Sequence, residues 1–131
     1  MPLFIRGKIV TGIGVGGSFM GLEWVRRQIH EKLGFEPYVG TLNLKMDEEN
    51  SSKFHSYLES RRGISIEPGD ASYYTGMCHR IKINESVDGA IVVPLVPNYP
   101  TDQIEIVAPV NLREAFGLED GNEITIELLD R

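Results

Sequence analysis

Residues 12–18 read Gly12-Ile13-Gly14-Val15-Gly16-Gly17-Ser18, with four glycines in six positions. Glycines let a backbone approach a phosphate closely and turn successive N–H groups toward it. A helix starting just downstream would add positive potential. Gly12-x-Gly14-x-x-Gly17 matches the dinucleotide fingerprint, and Gly12 and Gly17 also have P-loop glycine spacing. Neither familiar fold follows. The first needs repeated βαβ units, and the second needs a lysine where Ser18 stands. What survives is a phosphate-binding loop over Ile13, Gly14, Val15, Gly16, Gly17 and Ser18, set against the plainer reading of a glycine-rich hairpin.

Three other places carry chemistry. Thr41 and Asn43 alternate on one side of an expected strand, and their neutral oxygens suit Mg²⁺; the plainer reading is a solvated strand face. Asn111-Leu112-Arg113-Glu114 has capping-box form. It reads either as a second anion site, from first-turn amides and the Arg113 guanidinium, or as a simple helix start. Glu105, between Ile104 and Ile106, is either a solvated strand residue or a carboxylate aimed into a site. His30, His55 and His79 have no metal-ligand spacing among themselves or with Cys78, and Cys78 reads as a packed thiol.

These residues need a scaffold of ordinary globular composition. The chain has 131 residues, 41% hydrophobic and 24% charged, which is one domain's worth. The formal net charge of −6 argues against a nucleic-acid backbone binder. One cysteine excludes an internal disulfide and fits a reducing compartment. With no leader-like or membrane-spanning stretch in the sequence, a cytoplasmic protein without membrane partners is expected, as a monomer.

The apolar pattern positions the motifs. A strand is expected over Phe4–Thr11, then the glycine segment, then a helix over Met20–Leu33 with Leu22, Val25, Ile29 and Leu33 on one face and Gly34 as its stop. Gly40–Met46 alternates as a strand, with Leu42, Leu44 and Met46 facing one side. Asp47–Arg62 is ambiguous between helix and loop. Strands are expected at Ile64–Ile66, Ser72–Cys78 and Arg80–Asn84. Asp88-Gly89 reads as a turn before the apolar run Ala90–Val93. Pro94, Pro97 and Pro100 mark a loop. Ile104–Val107, a short helix over Asn111–Phe116 ended by Gly117, and Glu123–Leu129 complete the list. Six or seven strands with one substantial helix favour a closed β-barrel.

Three blocks then resemble a known family. Leu33-Gly34-Phe35-Glu36-Pro37-Tyr38-Val39-Gly40-Thr41-Leu42-Asn43-Leu44 is similar to the signature of the archaeal CTP-dependent riboflavin kinases. So are Val87-Asp88-Gly89-Ala90-Ile91-Val92-Val93-Pro94 and Ile104-Glu105-Ile106-Val107-Ala108-Pro109-Val110-Asn111-Leu112-Arg113. The blocks run in order over nearly the whole chain; Glu48–Ile83 matches poorly. The resemblance implies a six-stranded cradle-loop barrel forming one kinase domain over residues 1–131. It implies riboflavin and CTP as substrates and FMN and CDP as products. Ile13–Ser18 would wrap the nucleotide, with Val110, Asn111, Leu112 and Arg113 on its other side. Thr41 and Asn43 would hold Mg²⁺, and Glu105 would stand at the ribityl end of the flavin. Relatives place a threonine where this chain has Pro97, so Tyr99 or Thr101 is expected to take its flavin contact. Two alternatives stay open. Asn111–Leu129 is also similar to swapped-hairpin barrel DNA-binding regulators, and a flavin-binding barrel without catalysis is compatible with the same residues.

Overall fold

In a computed structural model the described residues are 2–11, 20–69 and 74–129. Strand β1 (Leu3–Val10) is followed by helix α1 (Glu23–Leu33), β2 (Leu42–Lys45) and helix α2 (Glu48–Ser60). Then come β3 (Ile64–Ile66), β4 (Gly76–Ile83), β5 (Val87–Pro94), β6 (Gln103–Val107), helix α3 (Leu112–Phe116) and β7 (Glu123–Leu128).

Six strands close a ring in the order β4-β5-β6-β2-β1-β7, because β7 pairs back onto β4. All pairings are antiparallel. Strand β4 shares one edge between two partners: Ile81–Ile83 pair with β7, while Gly76–Cys78 pair with the short β3. Closure removes the free edges that would template aggregation.

Period-two alternation sorts the side chains. Ile5, Ile9, Leu42, Leu44, Ile81, Ile83, Ile91, Ile104, Ile106, Ile124 and Ile126 fill the barrel interior, all 5% exposed or less. Each such side chain stabilises the fold by roughly 1.5–3 kcal/mol. A second cluster lies outside the barrel wall. There α1 lays Val25, Ile29 and Leu33 over Cys78, Ala90, Val92 and Val107. The helix is pinned at its C-terminal end, where Gly34 caps it at φ 86° and Arg80 donates to the Leu33 and Lys32 carbonyls at 2.9 and 3.0 Å.

Three details differ from the sequence reading. The ambiguous segment 47–62 contains a 13-residue helix, capped by the Asp47 side chain accepting from Asn50 N–H, and it packs Phe54 and Tyr57 against the barrel core. Its apolar residues are too sparse to reveal a helical face in sequence. The segments around Met77 and Ile81 form one unbroken strand, β4. Asp88-Gly89 is no turn: both residues lie inside β5, and the reversal falls at Asn84 and Glu85, with φ 47° and 63°. Gly89 serves a different need. A Cβ there would lie 2.5 Å from the Val107 carbonyl oxygen, so only glycine lets β5 and β6 approach this closely.

Candidate active site

The β2–β6 ladder pairs Asn43 with Glu105, and the β5–β6 ladder pairs Glu105 with Val92. Directly opposed residues share a face. Val92 lies in the cluster under α1, so Asn43 and Glu105 stand on the outer barrel wall rather than in its lumen. Glu105 is nonetheless 1% exposed, which removes the solvated-strand reading.

A buried carboxylate needs partners. Tyr99, on the proline-marked loop before β6, donates its hydroxyl to Glu105 Oε2. Thr41 Oγ1 lies 3.4 Å from Glu105 Oε1. Burial first, then the bond to Glu105 and the carboxylate's charge, push the Tyr99 phenol above its usual range, so it stays a proton donor. Asn43 Oδ1 is buried and has no hydrogen-bond partner among the described residues. An orphaned acceptor oxygen beside a carboxylate and a hydroxyl is the donor set that a hard cation takes.

Beside this cluster a cavity of about 140 Å³ is lined by Tyr38, Gly40, Thr41, Leu42, Ile106, Ala108 and the four residues Val110, Asn111, Leu112 and Arg113. Thus Thr41 and the Val110–Arg113 corner, far apart in sequence, face one space. Asn111 caps α3 through Oδ1, accepting from Glu114 N–H at 3.2 Å, while its Nδ2 donates to the Tyr38 hydroxyl at 3.1 Å. Its side chain is therefore occupied within the protein. Gly117 ends the helix at φ 65°. Arg113 is held by Asp120 at 2.6 Å, and the same carboxylate accepts from Thr11 Oγ1 at 3.0 Å.

Thr101 stands apart from the cluster. Its side chain is exposed and its carbonyl accepts from the His55 ring at 2.7 Å. Of the two groups expected to replace the missing threonine, Tyr99 is the one that reaches Glu105. Residues Ile13 to Ser18 lie outside the described residues. The described chain resumes at Met20, and α1 begins at Glu23 behind Leu22, which offers no side-chain cap. Among the described residues no group of three His, Cys, Asp or Glu side chains could hold a metal ion.

Two participants had no role in the sequence reading. Tyr38 lies inside a quoted block but offers no spacing signal of its own. Asp120 stands in the turn before Gly121; its bond to Arg113 is local, and its bond to Thr11 depends on the pairing of β1 with β7.

Comparison with known proteins bears on this arrangement. Residues 9–128 match the family model CTP-dep_RFKase, described as "Domain of unknown function DUF120". The chain belongs to this CTP-dependent riboflavin kinase family. It is similar to a riboflavin kinase of Pyrobaculum islandicum, 43% identical over 131 residues, which covers 98% of this chain and 61% of that protein. A riboflavin kinase of Archaeoglobus fulgidus is 38% identical over 128 residues, covering 95% of this chain and 54% of that protein. One from Methanosarcina barkeri is 36% identical over 128 residues, covering 96% and 56%. The chain thus spans between about half and three fifths of the length of these relatives. The match takes in β2, β6 and α3, so the Asn43–Glu105 pair and the Val110–Arg113 corner belong to the family domain.

Proposed function

We propose that this chain is a kinase that transfers the γ-phosphoryl group of CTP to the terminal ribityl hydroxyl of riboflavin, giving FMN and CDP. The observation that carries the reading is the buried pairing of Glu105 with Asn43 on the barrel wall, next to the cavity that Thr41 shares with Val110–Arg113. The family match supports it.

Thr41 and Asn43 would hold Mg²⁺, which when bound neutralises charge on the triphosphate. Glu105 receives the flavin hydroxyl. Both its oxygens are engaged in the free protein, by Tyr99 and Thr41, so the incoming hydroxyl takes over an acceptor site already aimed at it. From there Glu105 orients the hydroxyl in line with the γ-phosphorus and accepts its proton as the new P–O bond forms and the bond to CDP breaks. Tyr99, kept protonated, holds the carboxylate in place. Leu112 and Arg113 offer first-turn amides and a guanidinium toward the phosphates, and the glycine segment Ile13–Ser18 is expected to add backbone amides to them. Glu105 is almost fully buried, which limits water there and suppresses hydrolysis of the donor.

The net charge of −6 and a functional face built around a carboxylate weigh against a DNA-binding surface. No helix among the described residues is long and apolar enough to cross a membrane. A monomer acting on small molecules is the state this reading needs.

One incubation tests the function. Riboflavin and Mg²⁺ are combined with each of CTP, ATP, GTP and UTP, and FMN is followed by chromatography. FMN with CTP above the other three is expected. Equal or faster use of ATP would overturn the donor assignment. Flavin binding with no FMN from any nucleotide would replace the kinase by a non-catalytic flavin-binding barrel.

A further inference from the structure

We propose that Asp120 is a positioning residue of the nucleotide site, itself fastened to Thr11 and holding the Arg113 guanidinium in a fixed orientation at the cavity shared with Thr41. The inference rests on the nucleotide-binding reading above. Asp120 Oδ1 lies 2.6 Å from Arg113 NH2, and Oδ2 accepts from Thr11 Oγ1 at 3.0 Å. Thr11 immediately precedes residues 12–19, and Arg113 lines the cavity shared with Thr41. One carboxylate therefore spans two segments that meet only in the folded barrel.

The carboxylate's own position is set by backbone bonds. Gly121 N–H donates to Ile9 O at 2.8 Å, and Ile9 N–H donates to Asn122 O at 2.9 Å. On the other side Leu118 N–H donates to Arg113 O at 2.8 Å. The turn is thus fastened both to the end of β1 and to α3. The Arg113 bond first, and the Thr11 bond second, hold the Asp120 carboxyl below the usual carboxylate range, so it is charged at neutral pH.

As a stabilising ion pair this contact contributes little, because the two side chains are 40% and 55% exposed. As an orienting device it has more to do. A guanidinium has five N–H donors, and the bond to NH2 leaves the others free to point at a phosphate. Without Asp120, Arg113 must be immobilised afresh each time a nucleotide binds, and Thr11 loses its tether to the same point.

The test uses the whole chain and three proteins: wild type, Asp120→Asn and Thr11→Val. Calorimetric titration with CTP–Mg²⁺ and with inorganic triphosphate–Mg²⁺ is combined with steady-state kinetics and thermal melts. Asp120→Asn should weaken both phosphate ligands by roughly three- to tenfold. It should raise KM for CTP by the same factor, with kcat, KM for riboflavin and melting temperature nearly unchanged. Thr11→Val should act in the same direction and less strongly. Wild-type CTP affinity in Asp120→Asn would overturn the positioning role while leaving the kinase reading intact. A loss of melting temperature matched by equal losses of CTP and riboflavin binding would overturn it too, in favour of a structural turn. If the wild-type chain binds neither CTP nor triphosphate, the kinase reading fails and this role fails with it.

Discussion

Asn43 and Glu105 face each other across the β2–β6 ladder, the one with a buried acceptor oxygen that has no partner among the described residues, the other a carboxylate 1% exposed. Tyr99 and Thr41 satisfy the two oxygens of the carboxylate, whereas the Asn43 oxygen is left as a buried acceptor. That unmatched oxygen adds nothing to the barrel's stability and suits a ligand that brings a cation or a donor.

The first prediction concerns the cation. Asn43→Ala and Thr41→Ala should each weaken Mg²⁺-dependent CTP binding about tenfold or more, since a contact to a charged group is worth roughly 1.5–3 kcal/mol. Folding should be little affected at Asn43, whose oxygen has no partner among the described residues. Calorimetry across a Mg²⁺ titration checks this; unchanged affinity in both variants would remove them as ligands.

Glu105→Gln separates chemistry from binding. If the carboxylate takes the hydroxyl proton, kcat should fall by roughly 100-fold or more, with flavin affinity changing less, because Gln keeps the shape and one acceptor oxygen. A rise in flavin Kd with kcat preserved would make Glu105 a holder of the ribityl chain only. Flavin fluorescence titration and steady-state kinetics on the one variant distinguish the two.

Tyr99→Phe removes one partner of a buried carboxylate, at a cost of about 1.5–3 kcal/mol in stability. It should also change the alkaline limb of the stability curve. The folded phenol's pKa is raised above the unfolded value of about 10. The folded state then holds its proton more tightly, and this contribution is whole below pH 10 and lost as pH rises further. Chemical denaturation between pH 8 and 11 should give a decline for wild type that is shallower in Tyr99→Phe. Identical slopes would mean the phenol is not held by Glu105 in solution.

Gly89→Ala tests the close approach of β5 and β6. The new methyl would sit 2.5 Å from the Val107 carbonyl oxygen, so a loss of at least about 1–3 kcal/mol is expected from overpacking alone. Were residues 88 and 89 a solvent-facing turn, Ala would cost far less. A thermal or urea melt decides, and an unchanged midpoint would contradict the strand assignment.

Much of this architecture could be read from residue order alone. The alternation of Leu42 and Leu44 against Thr41 and Asn43 placed the metal-type oxygens on one strand face. Gly34 and Gly117 marked two helix ends where the backbone turns left-handed, and Asn111 announced its cap. These are local signals: each depends on one residue's side-chain reach or backbone freedom and on neighbours at most four positions away. The glycine at 89 misled for the same reason, since a turn and a close strand contact both demand a missing Cβ, and only the neighbour across the sheet tells them apart. The α2 helix was obscured because its buried residues, Asn50, Phe54 and Tyr57, make a face that is sparse and partly polar. Residue order also could not say whether Glu105 was solvated. Its burial goes with Tyr99 folding back from a loop and with its place between Asn43 and Val92 on the ladders, contacts set by strand register. Asp120 is the furthest from legibility. Arg113 is its neighbour through the α3 turn, but Thr11 is brought to the same carboxylate by the pairing of β1 with β7, and a bond between groups more than a hundred positions apart has no trace in the spacing of either.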